Sequence, residues 1–403
     1  TSVIANRPDV ISIQPDMLPT LHDERQNIIL ANRLTTSGAN TVPIAPGASG
    51  GIGYLNWLAS LGFTQAQFDA SAFTVDVSDQ GLDNGTTQPN HFALWKGGDP
   101  GSPVDPSRSL VVYNKLEGTA AAADLTGCGS VGHGTWTSHV VSGNVASVSR
   151  ALPHGDDSFN FGGGVAPFVR VGNSVFFTTG GSFTSPNVVN ASSRAYSNLG
   201  TNINGARISN NSWGAAISGG YNANSQAYDG VVRDAQPNGS THPAAGNQEY
   251  VVVVSAGNSG PGAQTMGAPA TGKNVIAVGG SQNVRPGVPD AVNADAMYSS
   301  SSRGPTADQR NKPELIAPAT NIAGGVVMND RSTAAPGNHN TCFTGGFLPT
   351  TPQQRFYRTG NGTSFSDPAV AGGAALLRQW FINNSLTPPS PAMTKAYLTS
   401  TST

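Results

Sequence analysis

The sequence is short of charge, and what charge it has is balanced: Lys, Arg, Asp and Glu make up 11% of 403 residues, and the net charge is −2. No basic run occurs, so the electrostatic footprint of a nucleic-acid binder is missing. Nor is there an unbroken apolar stretch of about 18 residues, the length a membrane-spanning helix needs. Cysteine is scarce. Cys128 and Cys342 allow one internal pairing, a bridge in an oxidising compartment or two buried thiols otherwise. A cysteine nucleophile is disfavoured, because neither has a histidine segment of its own. Gly (50) and Pro (28) are plentiful and require much ordered loop; disorder is opposed by 37% hydrophobic residues and long valine runs.

Strand-like runs near 73–78, 169–176, 206–211, 250–254 and 275–279 alternate with helical patterns at 133–146, 188–199, 223–235, 364–383 and 390–399. That alternation predicts an α/β fold with a mostly parallel central sheet and helices on both faces. The gaps 84–127, 177–205, 215–248 and 325–358 read as surface insertions near a cleft.

The segment with most chemical content is 362–373, GTSFSDPAVAGG. It places Ser364 where a glycine turn meets a long apolar helix, among main-chain N–H groups that lack intrahelical partners and at the positive end of the helix dipole. Pro368, read as a first-turn residue, marks the helix start. The plain alternative is that Thr363 and Ser364 are only N-caps. Far upstream, His133 sits between glycines in VGHGTWTSH, suited to a general base, and Asp79 ends a β-prone run before a glycine turn, suited to an orienting acid. Residues 251–254 are four valines, as in a strand buried on both faces, and lead into SAGNSG, where Asn258 is a candidate oxyanion donor. Taken singly, each is more often structural.

Together, in the order Asp, His, Ser, these segments resemble the subtilisin-like serine peptidases (subtilases). The GHGT, SAGNSG and NGTSFSDP segments carry the resemblance, with ISNNSWG at 208–214, YSSSSRGP at 298–305 and KPELIAP at 312–318 agreeing, over roughly residues 70–400. The resemblance implies a three-layer subtilisin-like fold and a secreted serine endopeptidase. Ser364 would be the nucleophile, His133 the base, Asp79 its orienting acid and Asn258 the oxyanion donor. Ser212, Trp213 and Gly214 would pair with substrate as an added strand. Ala256, Gly257 and Gly267 would line a primary pocket open to large apolar side chains, with broad specificity.

The resemblance further implies a monomer acting on proteins or peptides, with no cofactor for the chemistry, structural calcium with ligands unassigned, and an inhibitory prodomain before maturation. Asp99, Asp105, Asp124, Asp156, Asp157 and Asp290 stand in loop-like settings, but without a ligand spacing. Residues 1–22 read as an N-terminal arm and possible prodomain remnant, and 23–403 as the catalytic domain. The start at Thr1 is expected to follow removal of a signal peptide. Three residues depart from the family pattern. Trp136 stands at a common second histidine and Ala319 at a usual glycine. Asp367 stands at a small or polar position, where the reading is a first-turn carboxylate whose charge bears on substrate preference. A silent subtilase-shaped module would need a broken triad. A sedolisin-type acid peptidase would need other residues at 133 and 258.

Overall fold

The computed structural model describes residues 24–46, 48–99, 103–129, 132–145, 159, 162–285, 288, 290–329, 342 and 356–402. The N-terminal arm at 1–22 and the aspartates 156 and 157 lie outside these residues. Among the described residues the central sheet has seven strands: β1 Thr74–Asp79, β2 Val111–Leu116, β3 Arg170–Val175, β4 Ala206–Asn211, β5 Val251–Ser255, β6 Ile276–Ser281 and β7 Leu315–Pro318. They lie in the order β7-β6-β5-β4-β1-β3-β2, and every pairing is parallel.

Helices cover both faces, as a parallel sheet requires. They are α1 Glu24–Leu30, α2 Tyr54–Ser60, α3 Gln65–Ser71, α4 His133–Ser142, α5 Val188–Ser197, α6 Ala223–Arg233, α7 Thr363–Asn383 and α8 Pro391–Thr401. Strand alternation divides the core in two. Val251 and Val253 of β5 join Val75, Val77 and Ile208 against Trp136 and Val140 of α4 and Phe365, Ala369 and Ala371 of α7. Val252 and Val254 point the other way and pack with Val188 of α5 and Tyr228, Val231 and Val232 of α6. Gln26 ties α1 to the core by donating Nε2 to the carbonyls of Pro318 and Phe365, both at 3.1 Å.

The strand order turns back beside β1, and in open α/β sheets ligands bind outside the carboxyl ends of the strands at such a reversal. Asp79 ends β1, Ser212 directly follows β4, and Asn258 lies just beyond β5.

Several local expectations need correction. The gap 84–127 is not all surface loop, because it carries β2, whose alternating burial fits its place at the sheet edge. The helix expected over 133–146 stops at Ser142: Gly143 follows, and the Asn144 side chain is drawn to the Gly97 N–H and the Pro167 carbonyl. Pro368 is the sixth residue of α7, one turn further in than expected. Lacking an N–H, it leaves the carbonyl of Ser364 without its helical donor. Burial of Ala369, Ala371, Ala374 and Ala375 in the core holds the helix together around it.

Candidate active site

Asp79 and its neighbours on β1 separate by alternation. Asp76 faces the α5–α6 side, where Tyr113 donates to it at 2.9 Å, and Asp79 faces α4. His133, the first residue of α4, places Nδ1 2.8 Å from each Asp79 carboxylate oxygen. The carboxylate also accepts from the Gln80 N–H at 2.7 Å and the Thr137 hydroxyl, one turn along α4, at 3.3 Å. Gln80 returns the contact by accepting the His133 N–H at 3.2 Å. Gly134 permits this docking, because a Cβ there would lie 2.1 Å from the Gln80 carbonyl oxygen. Burial disfavours the imidazolium of His133, but the charge and hydrogen bond of Asp79 outweigh it, so the imidazole titrates above the ordinary histidine value.

Ser364 is the second residue of α7, where main-chain N–H groups have no intrahelical acceptor. Its hydroxyl donates to the Ser212 carbonyl at 3.1 Å rather than to His133, although His133 lines the same cleft. Catalytic hydrogen bonds are often loose without substrate and tighten when it binds. The Asn258 carboxamide is oriented by α7: its Oδ1 accepts from the Thr363 N–H at 2.9 Å and the Thr363 hydroxyl at 3.2 Å, which turns Nδ2 away from them. The turn before the helix needs Gly362, whose φ of 149° side-chain-bearing residues rarely adopt.

Asp79, His133, Asn258 and Ser364 all line one cleft of about 450 Å³, together with Ser212, Trp213, Gly214, Gly257 and Gly267. Ala256 does not line it. It is fully buried in the core on the α5–α6 side, because alternation past the end of β5 gives Ser255 and Gly257 to the cleft. Gln80, Phe177, Ala215, Ala216, Thr265 and Ser302 line the cleft as well and were not singled out from sequence. Ala215 and Ala216 had a signal there as the direct continuation of SWG, and Ser302 lies within the YSSSSRGP segment. Trp213 packs against Phe183, Phe176 and Phe177, with centroids 5.2, 5.8 and 6.1 Å away.

Cys128 and Cys342 are joined, with their Cα atoms 5.7 Å apart. Among the described residues no three His, Cys, Asp or Glu groups gather to hold a metal ion. Asp105 and Asp124 instead turn their carboxylates to main-chain N–H groups of Ser107, Ala121 and Thr179.

The sequence model of the subtilase family matches residues 70–403. The chain belongs to the subtilase family. Among curated subtilase relatives, serine protease AprX of Bacillus subtilis (strain 168) is 36% identical over 138 residues, 34% of this chain and 27% of AprX. Tripeptidyl-peptidase 2 of Oryza sativa subsp. japonica is 38% identical over 134 residues, 32% of this chain and 8% of that protein. The aligned regions thus span about a quarter or less of these relatives. Similar solved structures include the protease domain of PatA (18% identity, TM-score 0.48, covering 80% of this chain and 84% of that one). A cold-adapted subtilisin-like serine proteinase is also similar (20% identity, TM-score 0.45, covering 82% of each).

The departures from the subtilase pattern have structural explanations. Trp136 stacks on Phe365, the residue after Ser364, with centroids 4.4 Å apart, and is buried behind the cleft. Ala319 is fully buried and its methyl group packs over Gly280, where a Cβ would lie 2.5 Å from it, while its main-chain carbonyl accepts the Gly362 N–H at 2.8 Å as a glycine's would. Asp367, expected in the first turn of α7, is its fifth residue and completely buried. Burial raises its carboxyl well above the ordinary carboxylate range and the charge of Asp79 adds to this, against hydrogen bonds from the Ser212 hydroxyl and the Asn211 N–H. Its burial and upward-shifted titration set it apart from the dipole-paired first-turn carboxylate expected from sequence.

Proposed function

We propose that the protein is a serine endopeptidase that cleaves peptide bonds through an acyl-enzyme, with Asp79, His133 and Ser364 as its triad. Ser364 attacks the scissile carbonyl while His133 Nε2 takes its proton and later returns it to the leaving amine. Asp79 holds the proton on Nδ1 and stabilises the imidazolium. Asn258 Nδ2 and the Ser364 main-chain N–H donate to the tetrahedral oxyanion. The observation that carries this reading is the Asp79–His133 pair, at 2.8 Å, opening onto the same cleft as Ser364 and Asn258.

Ser212, Trp213 and Gly214 are read as the edge that pairs with an extended substrate. Gly257, Gly267, Ala215 and Ala216 are small residues lining the cleft, which supports a pocket for large apolar side chains and broad specificity. Export, a monomeric state and a removable inhibitory prodomain belong to the same proposal, the first supported by the Cys128–Cys342 bridge. Calcium remains a proposed stabiliser for which the described residues offer no carboxylate cluster, and no step is routed through it.

The test is hydrolysis of casein by the wild type and by Ser364→Ala. Hydrolysis that vanishes in the variant supports the reading, and hydrolysis that survives it refutes Ser364 as the nucleophile.

A further inference from the structure

Ser212 links two residues of α7 that stand one turn apart. Its hydroxyl donates to Asp367 Oδ2 at 3.1 Å, and its main-chain carbonyl accepts the Ser364 hydroxyl at 3.1 Å. Asn210 grips the same hydroxyl oxygen from the other side, donating Nδ2 at 3.0 Å. A residue just beyond the end of β4, on the edge read as pairing with substrate, is thereby clamped by its side chain while its carbonyl receives the candidate nucleophile. Neither the histidine nor the acid of the triad takes part in this clamp.

We propose that Asp367 is a positioning residue: by holding the Ser212 hydroxyl it fixes the carbonyl on which Ser364 rests, and with it the start of the substrate-pairing edge. This rests on the reading of Ser364 as the nucleophile. The carboxyl does this work in its protonated form, because an ionised carboxylate buried without a cation is strongly disfavoured. The titratable groups that face it are Asp79 from β1, with its partner His133 from α4, and Tyr228 from α6. Ser364 and Ser366 on its own helix carry no charge, and among the described residues no lysine or arginine shifts its titration. Ionisation at alkaline pH sets a second negative charge near Asp79 and beneath Ser364, disturbing both the clamp and the histidine.

The experiment is kcat against pH for wild type, Asp367→Ala, Asp367→Asn, Ser212→Ala and the Ser212→Ala/Asp367→Ala double variant. The loss of one neutral hydrogen bond predicts a fall on the order of tenfold for Asp367→Ala at neutral pH. Asn, isosteric and unable to ionise, restores most of it and keeps turnover further into the alkaline range than wild type. The double variant is no slower than Ser212→Ala, because both changes break one interaction. Wild-type turnover in Asp367→Ala, equal losses in Asn and Ala, coincident alkaline limbs, or losses that add fully in the double variant each overturn the proposal. If Asp367→Ala does not fold, the alkaline limb of Asp367→Asn decides alone. A wild type that neither cleaves casein nor reacts with a fluorophosphonate at Ser364 refutes the underlying peptidase reading instead.

Discussion

His133 Nδ1 stands 2.8 Å from both carboxylate oxygens of Asp79, a placement that fixes the imidazole plane and keeps the Nδ1 proton in place. The opposite nitrogen is then the one free to act as base. Asp79→Asn is expected to leave the fold intact by circular dichroism and to lower kcat by about 10⁴, because the carboxamide no longer fixes the productive tautomer. A loss below tenfold contradicts the assignment.

Asn258 is anchored through Oδ1, so its two ends have separate tasks. Asn258→Asp keeps the acceptor for Thr363 but removes the donor, and Asn258→Ala removes both. Steady-state kinetics should show kcat lowered by about 10²–10³ in each. If Asp retains wild-type turnover, the amide nitrogen is not the oxyanion donor.

Because Asp79 holds the His133 titration above the ordinary histidine value, the base becomes available only as pH rises past about 6.5. The kcat/KM profile should therefore climb through neutral pH and reach its maximum on the neutral-to-alkaline side. A maximum below about pH 4 would exclude His133 as the base.

Acid stability depends on a different pair. His91 and His139 are buried with ring centroids 6.0 Å apart, and burial lowers His91 to about 4. For His139, burial and then the neighbouring His91 lower the value to about 3. Both folded values lie below the unfolded one. Their contribution to stability is therefore complete above about pH 6.5 and is lost as pH falls toward 4 and then 3. Thermal melts across this window should show a falling Tm, and His139→Leu should flatten the fall. A Tm independent of pH from 7 to 4 contradicts this account.

The Cys128–Cys342 bridge spans 214 residues of sequence, so it restricts the unfolded chain strongly. Cys342→Ser is expected to lower stability by roughly 2–5 kcal/mol, read as a reduced denaturation midpoint. An unchanged midpoint means that the bridge contributes nothing in solution.

Local patterns were sufficient for most of the scaffold. Strands β1 and β3 to β6 start and end within one or two residues of the expected ranges; β5 shows the continuous valine run of a strand buried on both faces, whereas β1, β3 and β4 are TVDVSD, RVGNSV and ARISNN, buried but mixed in polarity. Strand β2 was not expected: its VVYNKL, alternating in burial at the sheet edge, lies inside a long gap between motifs. Ala256 was misplaced for a simpler reason, since motif membership says nothing of which way a side chain points past a strand end. Asp367 was misread because it is the buried fifth residue of α7 and its partner Ser212 is 155 residues away in sequence, brought to it only by the fold. The candidate triad was legible because each member sits beside glycines that mark strand ends or helix starts. The clamp beneath it was not, since it is built from ordinary polar residues with no local signature.

The most direct test of the central claim is to react the wild-type protein with a fluorophosphonate at pH 8 and map the adduct by peptide mass spectrometry. A single adduct on Ser364, abolished in Ser364→Ala and slowed strongly in His133→Ala, is the predicted result. An adduct on another serine, or no adduct in a preparation that still cleaves casein, contradicts the assignment of the nucleophile.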